Sequence, residues 1–283
     1  MIQTNSSSRF LAGAPQLSVV IPVHDEQGNV LPLAAELNQA LDGHVDYEVI
    51  FVDDASADQT LARLRWLASR DRRVRVIGHR ETCGQSTAIH TGVRHARGHW
   101  IATLDGDGQN DPADIPRLLA VLRDGRHDPA RTLVTGHRVK RRDSTLVRLS
   151  SRVANGVRAR ILRDRTPDTG CGLKVFDRAM FLALPYFDHM HRFLPALVRR
   201  AGGDVVIVRV NHRPRRSGRS HYGVHNRLWT GIVDLLGVMW LSRRARVPDS
   251  SELAIAPESS PATADTSLPS DAFPRATTRR RVP

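Results

Sequence analysis

The sequence predicts an α/β fold on a mainly parallel sheet with helices on both faces. Two observations predict it: short apolar, β-branched runs alternate with stretches of helical spacing, and three of those runs end in clusters of acidic residues. Strands that alternate with helices pair in parallel through right-handed crossovers. Ligands of such sheets bind outside the carboxyl ends of the strands. Glu26, Asp53 and Asp107 follow three different strands, so the fold should bring them to one edge although they are distant in sequence.

The first strand is the run 17–21, closed by Pro22 and the polar residues His24, Asp25 and Glu26. Val30, Leu33, Leu37 and Leu41 then repeat at helical spacing over 29–42. The second strand, 47–52, runs into Asp53-Asp54-Ala55-Ser56-Ala57-Asp58, after which Leu61, Leu64 and Leu67 mark a second helix. A third strand covers 74–77, a third helix 85–97 and a fourth strand 100–104; a fifth strand is read at 133–135.

The fourth strand ends in Leu104-Asp105-Gly106-Asp107-Gly108-Gln109-Asn110-Asp111-Pro112. Glycines between the carboxylates let the backbone turn tightly and point both side chains one way. Two close carboxylates repel unless a cation lies between them, and oxygen ligands of this kind suit Mg²⁺ or Mn²⁺ beside substrate phosphates. A plain strand-to-helix loop, with Asp111 as N-cap and Pro112 as first helical residue, is compatible with this, because the cap leaves Asp105 and Asp107 available. An EF-hand is excluded: its sixth position would be Asn110 and its last Pro116, where glycine and glutamate are required.

With 283 residues and 40% hydrophobic content, the chain has enough material for one large domain with appendages. Lys+Arg 42 against Asp+Glu 29 gives a net charge of +13 and implies an anionic partner: nucleic acid, phosphorylated substrate or acidic lipid. Cys83 and Cys171 are the only cysteines, which argues against a disulfide scaffold or a four-ligand zinc site and fits a reducing, cytoplasmic setting. Residues 1–16 are polar and Ser-rich, read as a flexible N-terminus without a secretory signal, and no run approaches the ~18 apolar residues of a membrane span. The chain also lacks a P-loop and a third glycine after Gly106/Gly108 or Gly170/Gly172, so a nucleotide would be held by base, ribose and metal-bridged diphosphate. That describes a nucleotide-sugar site.

Taken in order, Ile21-Pro22-Val23-His24-Asp25-Glu26, the segment 52–58 and the segment 104–112 resemble the successive signatures of family 2 glycosyltransferases with the GT-A fold. More narrowly, residues 17–223 resemble the polyprenyl-phosphate, dolichol-phosphate mannosyltransferase-like branch. The resemblance implies that Pro22, His24, Glu26, Asp53, Asp54 and Gly84 serve the nucleotide-sugar donor. It implies that Asp105, Asp107 and Gln109 are the catalytic and metal residues, with Mg²⁺ or Mn²⁺ as cofactor. His24, where Tyr or Phe is frequent, and Thr82, where Asn is common, depart from the family pattern and leave the base and the sugar open.

The second half supplies the acceptor side of the same resemblance. Gly136-His137-Arg138 is similar to the family's Gly-Ser-Arg, and Arg213-Pro214-Arg215-Arg216-Ser217-Gly218-Arg219-Ser220-His221-Tyr222 to its Arg-x-x-Gly-x-Ser-Lys-Tyr loop, with His221 for the lysine. Arg138, Arg148, Arg152, Asp168, Arg215 and Ser220 are the acceptor-side candidates, since guanidinium forks match phosphate oxygens. The segment 224–247 is too short to cross a bilayer and carries Trp229, Trp240 and trailing arginines, as an amphipathic helix lying in a membrane interface would, or as core packing. Residues 248–283, rich in Pro, Ser, Ala and Thr and ending in Arg279-Arg280-Arg281, read as a disordered basic tail.

The expected activity is therefore inverting transfer of a hexose, from GDP-mannose or a UDP-hexose, to a polyprenyl phosphate. The work would be done at the inner face of the cytoplasmic membrane, on the membrane surface or through an integral-membrane partner subunit. The alternatives are a family 2 transferase with a sugar-hydroxyl acceptor, for which Asp168 could be the base, a nucleotidyltransferase, and a basic nucleic-acid-binding protein. The last is disfavoured because the arginines already have an anionic ligand, so no nucleic-acid partner is expected.

Overall fold

Every residue from Leu17 to Val23 is buried, as a strand covered on both sides must be, and this strand (β1) lies inside a seven-stranded sheet. The structure, a computed structural model, describes residues 14–138, 162, 166–214 and 224–244, with side chains in the last helix from 231 onward. Arg148, Arg152, Arg215, Ser220 and the segment 248–283 lie outside the described residues.

After β1 come α1 (Val30–Leu41), β2 (Tyr47–Asp53), α2 (Thr60–Arg70), β3 (Val74–Gly78), α3 (Gln85–His95), β4 (Trp100–Thr103) and α4 (Ile115–Arg123). The second half contributes β5 (Thr132–Arg138), β6 (Lys174–Asp177), α5 (Arg178–Leu182), α6 (Leu194–Arg200), β7 (Asp204–Val210) and α7 (Val224–Arg244). Strand order is β3-β2-β1-β4-β6-β5-β7. β3, β2, β1 and β4 run parallel, and β7 is parallel to β5.

The exception is β6, antiparallel to both neighbours, with Lys174 opposite Thr103 of β4 and Thr135 of β5. β6 and β7 are additional to the five strands that the sequence predicts. β6 has only four residues between a glycine-rich loop and a helix, too few for a period to show.

Alternation along the strands divides the core into two layers. Val19, Ile21 and Phe51 pack with Leu33, Leu37 and Leu41 of α1 and Leu118, Leu119 and Leu122 of α4. Val20, Ile50 and Ile101 face the other way, against Ala88, Ile89 and Val93 of α3 and Leu194 and Leu197 of α6. A Cβ on Gly92 of α3 would fall 2.4 Å from the Val20 side chain, so glycine is what lets that helix lie directly on β1. α3 stops at His95, short of the expected 97. Asp111 caps the 3₁₀ turn Pro112–Asp114 by accepting from the Ala113 N–H at 3.1 Å, as the sequence suggests.

Candidate active site

The carboxyl ends of β1, β2, β4 and β5 lie on one edge of the sheet. Because β6 is antiparallel, the segment that precedes it, 168–173, arrives at the same edge. The acidic turn after β4 sits at its centre. Gly106 packs so closely on β1 that a Cβ would come within 2.6 Å of Val23 and 2.9 Å of the Pro22 carbonyl. Gly108 takes φ +71, a conformation glycine adopts without strain. Asp107 accepts from the Gln109 N–H at 3.0 Å, and Asp105 accepts from the Gln85 side chain at 2.8 Å.

Asp105 is the electrostatically distinctive residue. Burial first, then the neighbouring charge of Asp107, pushes its carboxyl up to about 6, against the pull of Lys174, Arg138 and Gln85. A carboxylate raised by an adjacent carboxylate is favoured in its charged form by a cation. The donor set at this turn, two aspartates and a carboxamide, therefore fits Mg²⁺ or Mn²⁺. Gly172 closes one side of Asp105: a Cβ there would lie 2.2 to 2.5 Å from the carboxylate, so only glycine leaves it room.

At the end of β2 the two adjacent aspartates do different work. Asp53 accepts from Ser56 Oγ at 2.6 Å. Asp54 accepts from the N–H groups of Cys83 and Gly84, each at 2.8 Å, and pairs with His79 Nδ1 at 2.7 Å, so it ties the loop between β3 and α3 to the end of β2. Its carboxyl lies below the ordinary range: burial acts to raise it, and these three partners together outweigh burial. His24 Nδ1 meets the Asp54 carbonyl at 2.8 Å, and Glu26 accepts from the Asn29 amide at the start of α1. Gly84 has φ +87 immediately before α3.

At the end of β5 Arg138 and Asp168 form a two-pronged ion pair, Nε to Oδ2 and Nη2 to Oδ1 at 2.7 Å each, and the Arg138 N–H also reaches Asp168 at 3.2 Å. Burial opposes the Arg138 charge, and the carboxylate more than restores it. Lys174 is fully enclosed, donates to the Cys171 carbonyl, and is pulled down by burial against the attraction of Asp105 and Asp168. Arg213, which opens the segment 213–222 that resembles the family's acceptor loop, is spent on Glu36 at 2.7 Å and on Asp111. Its N–H donates to the Gln109 carbonyl at 2.9 Å, so it clamps the segment after β7 to the acidic turn.

Gln85, Gly172 and Lys174 thus join the site although no role follows for them from sequence. Gln85 directly follows Gly84, a donor candidate, which is the one local signal for it. A buried lysine reads like any surface lysine in a one-dimensional string.

Along α7, Val233, Leu236 and Trp240 are exposed, Val238 is buried and Leu241 half-buried. Arg244 stacks over the Trp240 ring at 5.7 Å. No helix of the described residues is long and apolar enough to cross a membrane.

Residues 18–184 match the family described as Glycosyl transferase family 2. A dodecaprenyl-phosphate galacturonate synthase of Rhizobium johnstonii is 35% identical over 233 residues, 81% of this chain and 68% of that protein. An undecaprenyl-phosphate 4-deoxy-4-formamido-L-arabinose transferase of Edwardsiella ictaluri is 34% identical over 211 residues, 74% of this chain and 63% of that protein. This chain therefore spans about two thirds of such relatives' length.

Among solved structures, glucosyl-3-phosphoglycerate synthase from Mycobacterium tuberculosis with Mg²⁺ and UDP superposes with TM-score 0.59 at 21% identity, over 84% of this chain and 82% of that one. A mannosyltransferase from Pyrobaculum calidifontis with GDP-Man and Mn²⁺ gives 0.58 at 20%, over 83% and 66%. The sheet and its ordered motifs, matched by family and fold alike, place this chain in glycosyl transferase family 2, with the GT-A fold.

Proposed function

We propose that this protein transfers a sugar from a nucleoside diphosphate to a polyprenyl phosphate, with inversion at the anomeric carbon. The observation that carries the proposal is the single edge on which the acidic turn, Asp53 and the Arg138–Asp168 pair converge; the names of the curated relatives support it. An oxygen of the acceptor phosphate attacks the anomeric carbon, the bond to the donor's diphosphate breaks, and the nucleoside diphosphate leaves. A phosphate monoester with a second pKa of about 6 is already largely dianionic at neutral pH, so no strong protein base is needed.

Asp168 fits that economy, because Arg138 engages both its oxygens and makes it an organiser of the acceptor side. Arg138, held rigid by Asp168, orients the incoming phosphate, and Arg148, Arg152, Arg215 and Ser220 complete the acceptor set. Asp53 lies at the nucleoside, with Pro22, His24, Glu26 and Gly84 beside it, and Asp54 shapes their loop. Asp105, Asp107 and Gln109 would hold Mg²⁺ or Mn²⁺, which when bound neutralises the diphosphate leaving group. Gln85 and Gly172 keep the Asp105 carboxylate in place.

The donor is GDP- or UDP-linked. A mannose or other hexose remains the reading from motif resemblance, while the relatives are named for galacturonate and a formamido-arabinose, so uronates and pentoses belong in the same screen. Incubating the full chain with Mn²⁺, a panel of nucleotide sugars and undecaprenyl phosphate in micelles tests the reading. A lipid monophosphate sugar plus nucleoside diphosphate is the expected outcome. Free pyrophosphate would indicate nucleotidyl transfer, and sugar transfer only to hydroxyl acceptors would overturn the lipid-phosphate reading.

The membrane role rests on α7. Its exposed Val233, Leu236 and Trp240, with Arg243 and Arg244 at the end, suit the inner face of an anionic membrane. The protein should sediment with anionic liposomes and be released by high salt, and Leu236→Ser with Trp240→Ser should weaken that association. A protein indifferent to liposomes of every composition would need an integral-membrane partner to present the lipid.

A further inference from the structure

We infer that Asp54, His79 and Cys83 form a second cation site, selective for Zn²⁺ and separate from the acidic turn. One oxygen of Asp54, one ring nitrogen of His79 and the sulfur of Cys83 all lie within 4.8 Å of one another. The three residues come from the end of β2, the end of β3 and the loop before α3, so one ion would staple three segments. Thiolate and imidazole ligands select Zn²⁺ over Mg²⁺ and Mn²⁺, whereas the oxygen donors of Asp105 and Asp107 have the opposite preference.

The surroundings already orient the ligands. His79 uses one nitrogen toward Asp54 at 2.7 Å and the other toward Thr91 Oγ1 at 3.0 Å. A hydroxyl partner on the outer nitrogen is the arrangement that fixes the ring of a metal-bound histidine. One oxygen of Asp54 is held by the Gly84 N–H, and the other accepts from the Cys83 N–H and meets His79 Nδ1. Cys83 is exposed, so the ion has a path from solvent.

Tetrahedral Zn²⁺ separates such donor atoms by about 3.3 to 3.6 Å. The His79 to Asp54 contact would open slightly and the sulfur would close in. Three protein ligands leave the fourth position to water.

The proton balance is simple. Cys83 Sγ–H loses its proton to solvent as the Zn–S bond forms. If Nδ1 of His79 carries the ring proton beforehand, that proton leaves through solvent while Nε2 gains one and donates it to Thr91. The ring stays neutral, so about one proton is released per ion bound.

The test uses the full chain under reducing conditions, titrated with Co²⁺ as a coloured substitute for Zn²⁺ and then with Zn²⁺ in competition. The expected result is one thiolate-to-cobalt charge-transfer band, displaced by Zn²⁺ but not by excess Mg²⁺. It should be lost in Cys83→Ser, weakened at least tenfold in affinity in His79→Gln, and retained in Asp107→Asn. No band, a band that survives Cys83→Ser, or a band lost in Asp107→Asn would each overturn the site. Because every readout is metal binding, a negative outcome here leaves the transferase reading untouched, and absence of transfer leaves this one untouched.

Discussion

The two halves of the candidate site are built by different means. The half proposed for the donor comes from parallel strands β1, β2 and β4, whose polar residues follow the strand ends directly, and its carboxylates are satisfied mainly by N–H and hydroxyl groups, as Asp54 is by Cys83 and Gly84. The half proposed for the acceptor comes from the antiparallel insertion of β6, which carries a segment preceding a strand to the place where other segments follow theirs. Its key contact is a largely buried ion pair, Arg138 with Asp168. Donor binding should therefore survive many local changes, whereas acceptor use should depend on single buried charges.

The strongest test of that contrast is Asp107→Asn, which removes a charge without changing side-chain volume. Transfer should fall at least about 100-fold with the melting temperature nearly unchanged. Activity within a few-fold of wild type would remove the cation from the acidic turn. Gly172→Ala follows, since its methyl would collide with the Asp105 carboxylate. A displacement on the ångström scale at a reacting centre can cost about 100-fold, so transfer should drop far more than stability does.

Arg138→Ala sharpens the acceptor side. It removes the two guanidinium bonds to a largely buried carboxylate, so stability should fall by about 1.5–3 kcal/mol and lipid-phosphate use should collapse, while nucleotide affinity in the folded fraction changes little. The pair Arg138→Met with Asp168→Leu should recover stability without recovering transfer. Recovery of both would mean that the ion pair only supports the fold. Equal loss of nucleotide affinity would erase the donor–acceptor distinction itself.

The smallest effect is on the acid side. Glu48, Asp54 and Asp111 are each lowered: burial acts to raise them, and their donors, such as the Arg97 N–H and Arg75 at Glu48, outweigh it. A carboxyl that is more acidic in the folded state stabilises above its unfolded value and loses that contribution as pH falls through the folded one. Urea midpoints should therefore be insensitive to these groups near neutrality and decline below about pH 4. Asp54→Asn should flatten part of that decline.

Sequence alone determined the parallel half, because its signals are local. Apolar runs of four to seven residues, helical spacing such as Val30, Leu33, Leu37 and Leu41, and carboxylates placed just after a strand all lie within one window of the chain. It also set the order of the family motifs, and with them Asp53, Asp105 and Asp107 at one edge. Tertiary structure alone decided that Arg138 is locked to Asp168, that Gly172 makes room for Asp105, that Lys174 is buried and that Arg213 is spent on Glu36 and Asp111. Each of these depends on the register of β6 between β4 and β5 or on the path after β7. Contacts between residues 30 to 177 positions apart are set by packing of the whole sheet and leave no periodic trace in the chain.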